Sequence, residues 1–127
     1  MSTYLEERSR KQKLGLPTSQ SVLENFSDKS WSVWRPKFHG DPMPSLLGLS
    51  SEAGEVSDVW FKAQRNDVPV DVKDIISEVG DVLFYCSIIA RENGFTLEDA
   101  IQSNLDKLTQ RKIAGSIHDK SKRSENE

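Results

Sequence analysis

The sequence predicts an all-α protein of four main helices, and three observations predict it. Apolar residues recur at helical spacing in four separate segments. No stretch alternates apolar and polar residues as a strand would. Proline, glycine and capping residues punctuate the segments where helices start and stop.

Residues 1–16 are polar, with scattered apolar positions, and are either mobile or a short helix. A first helix starts after Pro17-Thr18 and carries Val22, Leu23, Phe26, Trp31 and Trp34. It stops before Pro36, because the residue preceding a proline disfavours helical geometry. Pro36-Lys37-Phe38-His39-Gly40-Asp41-Pro42 is a loop by its proline and glycine content. Pro44 opens a second helix from its first turn, and this helix runs to about Asn66. Asn66-Asp67-Val68-Pro69-Val70 breaks it. Asp71 caps a third helix, which ends near the stop pair Asn93-Gly94. Thr96 with Asp99 three residues on resembles a capping box with Asp in place of Glu, opening a fourth helix to about Lys112. The chain thus divides into a polar segment 1–16, one domain over 17–115, and a polar tail 116–127 that is flexible unless a ligand or partner orders it.

The totals limit the function classes. The 127 residues fit one domain. A net charge of −3 and a pI near 5.4 give no general basic field for nucleic acid. An apolar content of 35% is low for a compact globule, so part of the chain is tail or subunit interface. Cys86 lies among Phe84, Tyr85, Ile88 and Ile89, which suits a buried thiol. One cysteine makes no internal disulfide. The charged N-terminus has no apolar signal core, and no apolar run is long enough to span a membrane. A soluble cytoplasmic protein is the default expectation.

A phrase recurs within the helical segments: Ser51-Glu52-Ala53-Gly54-Glu55-Val56 and Ser77-Glu78-Val79-Gly80-Asp81-Val82. Each reads acid-x-Gly-acid, and carboxylates three apart share one face of a helix. Acidic pairs in helices are ordinarily a solvated face. The third helix argues against that, because Glu78 and Asp81, roughly 60° apart, sit among Val82, Tyr85, Ile88 and Ile89. Ile75, Ile76, Val79, Leu83, Phe84 and Cys86 make the rest of the turn, and a helix apolar nearly all round is expected to be buried. In the second helix Glu52 and Glu55 edge a stripe of Leu49, Val56, Trp60 and Ala63. Asp58 continues the step, but a surface pair with Lys62 suits it best. Gly54 and Gly80 cost helix propensity, which close helix approach or room for a ligand beside the acids would explain.

Two such helices face to face would aim four carboxylates at one space, which needs a cation. Di-iron bundles need Glu-x-x-His pairs, whereas the only histidines are His39 in a loop and His118 in the tail. Zinc needs Cys or His clusters. All-oxygen coordination leaves Mg²⁺ or Mn²⁺. On the fourth helix Leu97, Ile101, Leu105 and Leu108 make the core stripe. Asn104 falls inside it, with Lys107 and Arg111 along its border. Those three are either ordinary core and edge residues or a place for a metal-bridged polyphosphate.

Glu52-x-x-Glu55 followed by Glu78-x-x-Asp81 resembles the EXXE…EXXD signature of the MazG-type all-α nucleoside triphosphate pyrophosphohydrolases. Leu49 to Val56 and Glu78 to Tyr85 look like the two core motifs of that family, and Asn104-x-x-Lys107-Leu108-x-x-Arg111 looks like its downstream helix motif. The similarity covers about residues 31 to 115, and three motifs agree in order and spacing. It implies hydrolysis of a nucleoside or deoxynucleoside triphosphate between the α and β phosphates, with Mg²⁺ held by Glu52, Glu55, Glu78 and Asp81. It implies a role in nucleotide-pool control or house-cleaning. It also implies homodimers or homotetramers in which protomers complete the bundles and the sites. Glu52 or Glu55 would orient or deprotonate the attacking water; Lys107 and Arg111, with Lys62 as a weaker choice, would face the phosphates. Tyr85, Trp34, Trp60, His39 and Asn104 are the choices for reading base or sugar, although core or interface suits the tryptophans better. The alternatives are a relative acting on another phosphoanhydride, such as phosphoribosyl-ATP or a nucleoside diphosphate, and a non-catalytic dimerisation module with a structural cation.

Overall fold

The computed structural model describes residues 10–11, 13–16, 19–35 and 39–115, with only the backbone of residues 19–21. The 116–127 tail, most of the polar N-terminal segment and the loop residues 36–38 lie outside the described residues. Four main helices make up the fold: α1 (Ser19–Val33), α2 (Met43–Arg65), α3 (Val72–Glu92) and α4 (Leu97–Ile113). No strand occurs among the described residues. The all-α expectation is met. Arg10, Lys11 and Lys13 are helical, and the Leu14 N–H donates to the Arg10 carbonyl at 3.2 Å.

The helix ends follow the local chemistry. Pro44 lies in the first turn of α2, where its missing N–H costs nothing. The Asp71 carboxylate caps α3 by accepting from the Lys73 N–H at 2.9 Å. Gly94 takes a φ of +80° just past the end of α3. At α4 the reciprocal box is complete: the Asp99 N–H donates to Thr96 Oγ1 at 3.2 Å, and the Thr96 N–H donates to Asp99 Oδ2 at 2.9 Å.

Helices α2 and α3 form the main packed pair, joined by a short turn in which Asp67 adopts a positive φ of 51°. Helix α1 packs on α3 and α4, and α4 on α3 and α1. The core is thin: Trp34, Ala63, Ile88 and Leu97, with Ser27, Ser30, Ser45 and Ser87 buried among them. Trp34, Phe84 and Tyr85 meet edge to face, with centroids 5.2 to 6.4 Å apart.

Two sequence expectations need correcting for the single chain. Helix α3 is apolar nearly all round but not buried all round, because Val72, Ile76, Val79 and Leu83 form an exposed stripe and Ile76 is 64% accessible. On α4 only Leu97 is buried, while Ile101, Leu105 and Leu108 are exposed. Periodicity reports which face a helix must cover, not what covers it, and the four described helices leave these faces exposed.

Candidate metal centre

The site follows from the register of α2 against α3. Residues seven apart return to nearly the same face of a helix, so Ser45 and Glu52 share one line of α2, and Glu78, Tyr85 and Glu92 share one line of α3. The two lines meet in opposite directions. At one end Ser45 Oγ donates to Glu92 Oε1 at 2.5 Å. In the middle Gly48 lies against the Tyr85 ring, where a Cβ on Gly48 would fall 2.2 Å from Cε1. At the other end stand the acids.

Glu52, Glu78 and Asp81 each offer a carboxylate oxygen, and these oxygens lie within 4.8 Å of one another. Glu52 and Glu78 are half-buried and Asp81 is exposed, so the expectation of fully buried acids on α3 is corrected. Desolvation pushes the Glu78 carboxyl above the ordinary carboxylate range. The charges of Asp81, Glu52 and Glu55 add to this, as does a hydrogen bond with Glu52. A carboxyl whose pKa is raised by its acidic neighbours is short of positive charge. Around one Mg²⁺ the oxygens stand at 2.0–2.1 Å, so two ligands lie at most about 4.2 Å apart. At least two of the three oxygen pairs must become adjacent ligands, about 2.9 Å apart, so the oxygens close by up to about 2 Å to hold such an ion, and the all-oxygen donor set suits it.

Glu55 stands apart from this trio. It lines an adjoining cavity of about 340 Å³ together with Lys62, Asn66, Asp71, Asp74 and Glu78. Lys62 Nζ pairs with Asp58 Oδ2 at 2.8 Å, which raises the lysine pKa. Asp58 is therefore a partner of Lys62, while Lys62 still borders the cavity.

The other expected residues are dispersed. Asn104 and Lys107 are exposed and Arg111 half-buried on α4. None of the three is among the described residues that line the cavity beside the acids. Tyr85 shares the acids' line on α3 as expected, but its ring is wedged against Gly48 and edge-on to Trp34. Trp34 is 8% accessible and part of the core. Trp60 was placed in the buried stripe of α2, yet it is 57% accessible. His39 stacks on Trp31 with centroids 4.6 Å apart.

Gly54 and Gly80 do not serve close helix approach within the protomer, since a Cβ on either would meet nothing within 4 Å. Gly48 does, and sequence reasoning passed over it. Asp74 was missed too, although its position four residues before Glu78 places it on the same face. Ser45 and Glu92 were missed because only the register pairs them.

A family profile described as the MazG nucleotide pyrophosphohydrolase domain matches residues 43–114, which include all four acids and the whole of α2 and α3. The Gene 37 protein of Mycobacterium phage L5 is 35% identical over 75 residues, spanning 56% of this chain and 66% of that protein, just under two thirds of its length. No solved structure matches the chain. The profile covers more than half of the sequence and ends where α4 ends, so the chain belongs to the MazG nucleotide pyrophosphohydrolase family.

Proposed function

We propose that the protein hydrolyses nucleoside or deoxynucleoside triphosphates at the α–β phosphoanhydride, giving monophosphate and pyrophosphate, with Mg²⁺ as cofactor and Mn²⁺ as a substitute. The observation that carries the reading is the convergence of Glu52, Glu78 and Asp81 oxygens within 4.8 Å, with the Glu78 carboxyl held above its ordinary range. These three residues would hold the ion. When bound, it would polarise the phosphoryl oxygens and offset charge on the departing pyrophosphate.

Glu55 stands outside the trio on the wall of the adjoining cavity, which suits it to take a proton from the attacking water. The water oxygen bonds to the α phosphorus as its proton passes to the carboxylate. The bridging bond breaks and pyrophosphate leaves. Lys62 borders the same cavity and answers phosphate charge as far as its pairing with Asp58 allows.

A homodimer or homotetramer is part of the proposal. It would cover the exposed stripe Val72, Ile76, Val79 and Leu83 and that of Ile101, Leu105 and Leu108. In such an assembly Lys107 and Arg111 would serve triphosphate held at the acids of another copy. The role is control or cleansing of the nucleotide pool, which implies work in the cytoplasm.

The test is incubation with each common NTP and dNTP, phosphoribosyl-ATP and the diphosphates, with and without Mg²⁺. Monophosphate and pyrophosphate from a triphosphate support the proposal. Turnover of phosphoribosyl-ATP or diphosphates alone moves the function to that alternative. No turnover by intact oligomer points to a dimerisation module.

A further inference from the structure

At the far end of the α2–α3 seam from the acids lies a cavity of about 610 Å³, lined by Trp31, His39, Ser45, Ile89, Arg91 and Glu92 among others. Its walls differ from those beside the acids. The Trp31 and His39 rings stack on each other, 4° from parallel, and both line the cavity. The Arg91 guanidinium sits 5.9 Å from the Trp31 ring centre and 2.9 Å from Asp28 Oδ1, so its charge is already answered. Glu92 is not answered in full. Ser45, 1% accessible, fastens Oε1, while Oε2 is shielded from water with no hydrogen-bond partner. A shielded carboxylate oxygen without a donor is costly, and Glu92 is part of the cavity wall.

We infer that this cavity binds the nucleobase of the substrate, and that Glu92 selects bases carrying an amino group at the pyrimidine 4-position or the purine 6-position. The inference deepens the proposed hydrolysis and rests on it for the identity of the ligand. An anion is disfavoured, because the unmet demand is for a donor and the one arginine is paired. A planar ring is favoured by the flat Trp31 and His39 surfaces. Ser45 lies seven residues from Glu52 on the same line of α2, roughly 10 Å along the axis, a reach comparable with that from base to outer phosphates in an extended nucleotide. Cytosine and adenine present an amino group that donates to Oε2 after a small turn of the side chain. Uracil and thymine present a carbonyl there, which opposes the carboxylate and leaves only the ring N–H beside it to donate.

The experiment is a titration of the full-length, metal-free protein with cytidine, adenosine, uridine and thymidine. The readout is the Trp31 indole N–H resonance, assigned through Trp31→Phe. Cytidine or adenosine is expected to shift that resonance saturably and to bind about tenfold or more tightly than uridine or thymidine. Glu92→Ala, checked for helical content, is expected to erase the difference. The same panel of triphosphates, assayed with Mg²⁺, separates the two claims. Hydrolysis that ignores the amino group, or a Trp31 signal indifferent to all four nucleosides, overturns this inference and leaves the proposed reaction standing. Nucleoside discrimination at Trp31 without hydrolysis of any triphosphate upholds the cavity and removes the proposed reaction. A preference that survives Glu92→Ala overturns the role of Glu92.

Discussion

The seam between α2 and α3 makes a sharp prediction through three glycines that look alike in sequence. Gly48, Gly54 and Gly80 all sit in helix interiors, where alanine is favoured over glycine by about 1 kcal/mol. At Gly54 and Gly80 an added Cβ meets nothing within 4 Å. Each alanine variant should therefore be stabilised by close to the full propensity gain, roughly 1 kcal/mol. At Gly48 the added Cβ would lie 2.2, 2.4 and 2.7 Å from Tyr85 Cε1, Cζ and Cδ1. Ordinary carbon contacts are about 3.5–4.0 Å, so ring or helix must yield by more than about 1 Å. The ring is not free to swing away, because Trp34 and Phe84 stand edge to face with it. Overpacking of this kind costs about 1–3 kcal/mol, which exceeds or cancels the propensity gain. Gly48→Ala should thus fall about 1–3 kcal/mol below Gly54→Ala, or roughly 4 °C or more in Tm for a chain of this size. Urea unfolding of the three variants at one protein concentration measures the difference. A Gly48→Ala protein as stable as the Gly54→Ala protein would refute the register and the seam that positions the acids.

The acids and the buried hydroxyls give further outcomes. Asp81→Asn and Glu78→Gln should abolish the rise in Tm on adding Mg²⁺ and cut turnover about 100-fold or more, with helical content kept; either variant with near-normal turnover removes that residue from the metal set. The raised Glu78 pKa sets a pH dependence. A carboxyl whose folded pKa exceeds its unfolded one favours the folded state at low pH and loses that contribution as pH rises through the folded value. The metal-free protein should lose stability over that window, while Mg²⁺-induced stabilisation grows over it as the proton leaves. Scanning Tm against pH with and without Mg²⁺ checks both arms, and parallel curves would contradict the cluster. Ser87 is fully buried and its Oγ has no hydrogen-bond partner. Ser87→Ala should accordingly be neutral or stabilising by up to about 2 kcal/mol in urea unfolding, and a loss of stability would show that the hydroxyl is satisfied.

What the sequence made legible, and what it did not, has a physical boundary. Helix ends are local matters of capping and proline geometry, so Asp71, Thr96 with Asp99, and Asn93-Gly94 marked their positions before any fold was known. The pairing of Glu78 with Asp81 was legible for the same reason, since a spacing of three fixes a shared face. Relations between helices were not. Glu52 and Glu55 look equivalent on paper, yet a 60° difference in helical phase puts one in the cluster and the other on the cavity wall. Gly48 opposite Tyr85 and Ser45 opposite Glu92 depend on register, which no single-helix pattern encodes. Trp34 and Trp60 carry the same side chain, but one closes the aromatic core and the other stands in the open. The apolar stripes of α3 and α4 show what needs covering and leave the covering partner unnamed.

The central claim is that the carboxylates of Glu52, Glu78 and Asp81 hold a cation for cleavage of the α–β anhydride. The most direct measurement is the ³¹P spectrum of a dNTP panel incubated with protein and Mg²⁺, beside the same reaction with Asp81→Asn. The account predicts paired growth of monophosphate and pyrophosphate signals from at least one triphosphate, dependent on Mg²⁺ and lost in the variant. Diphosphate with inorganic phosphate, or a variant that cleaves as fast as the unmodified protein, would contradict it.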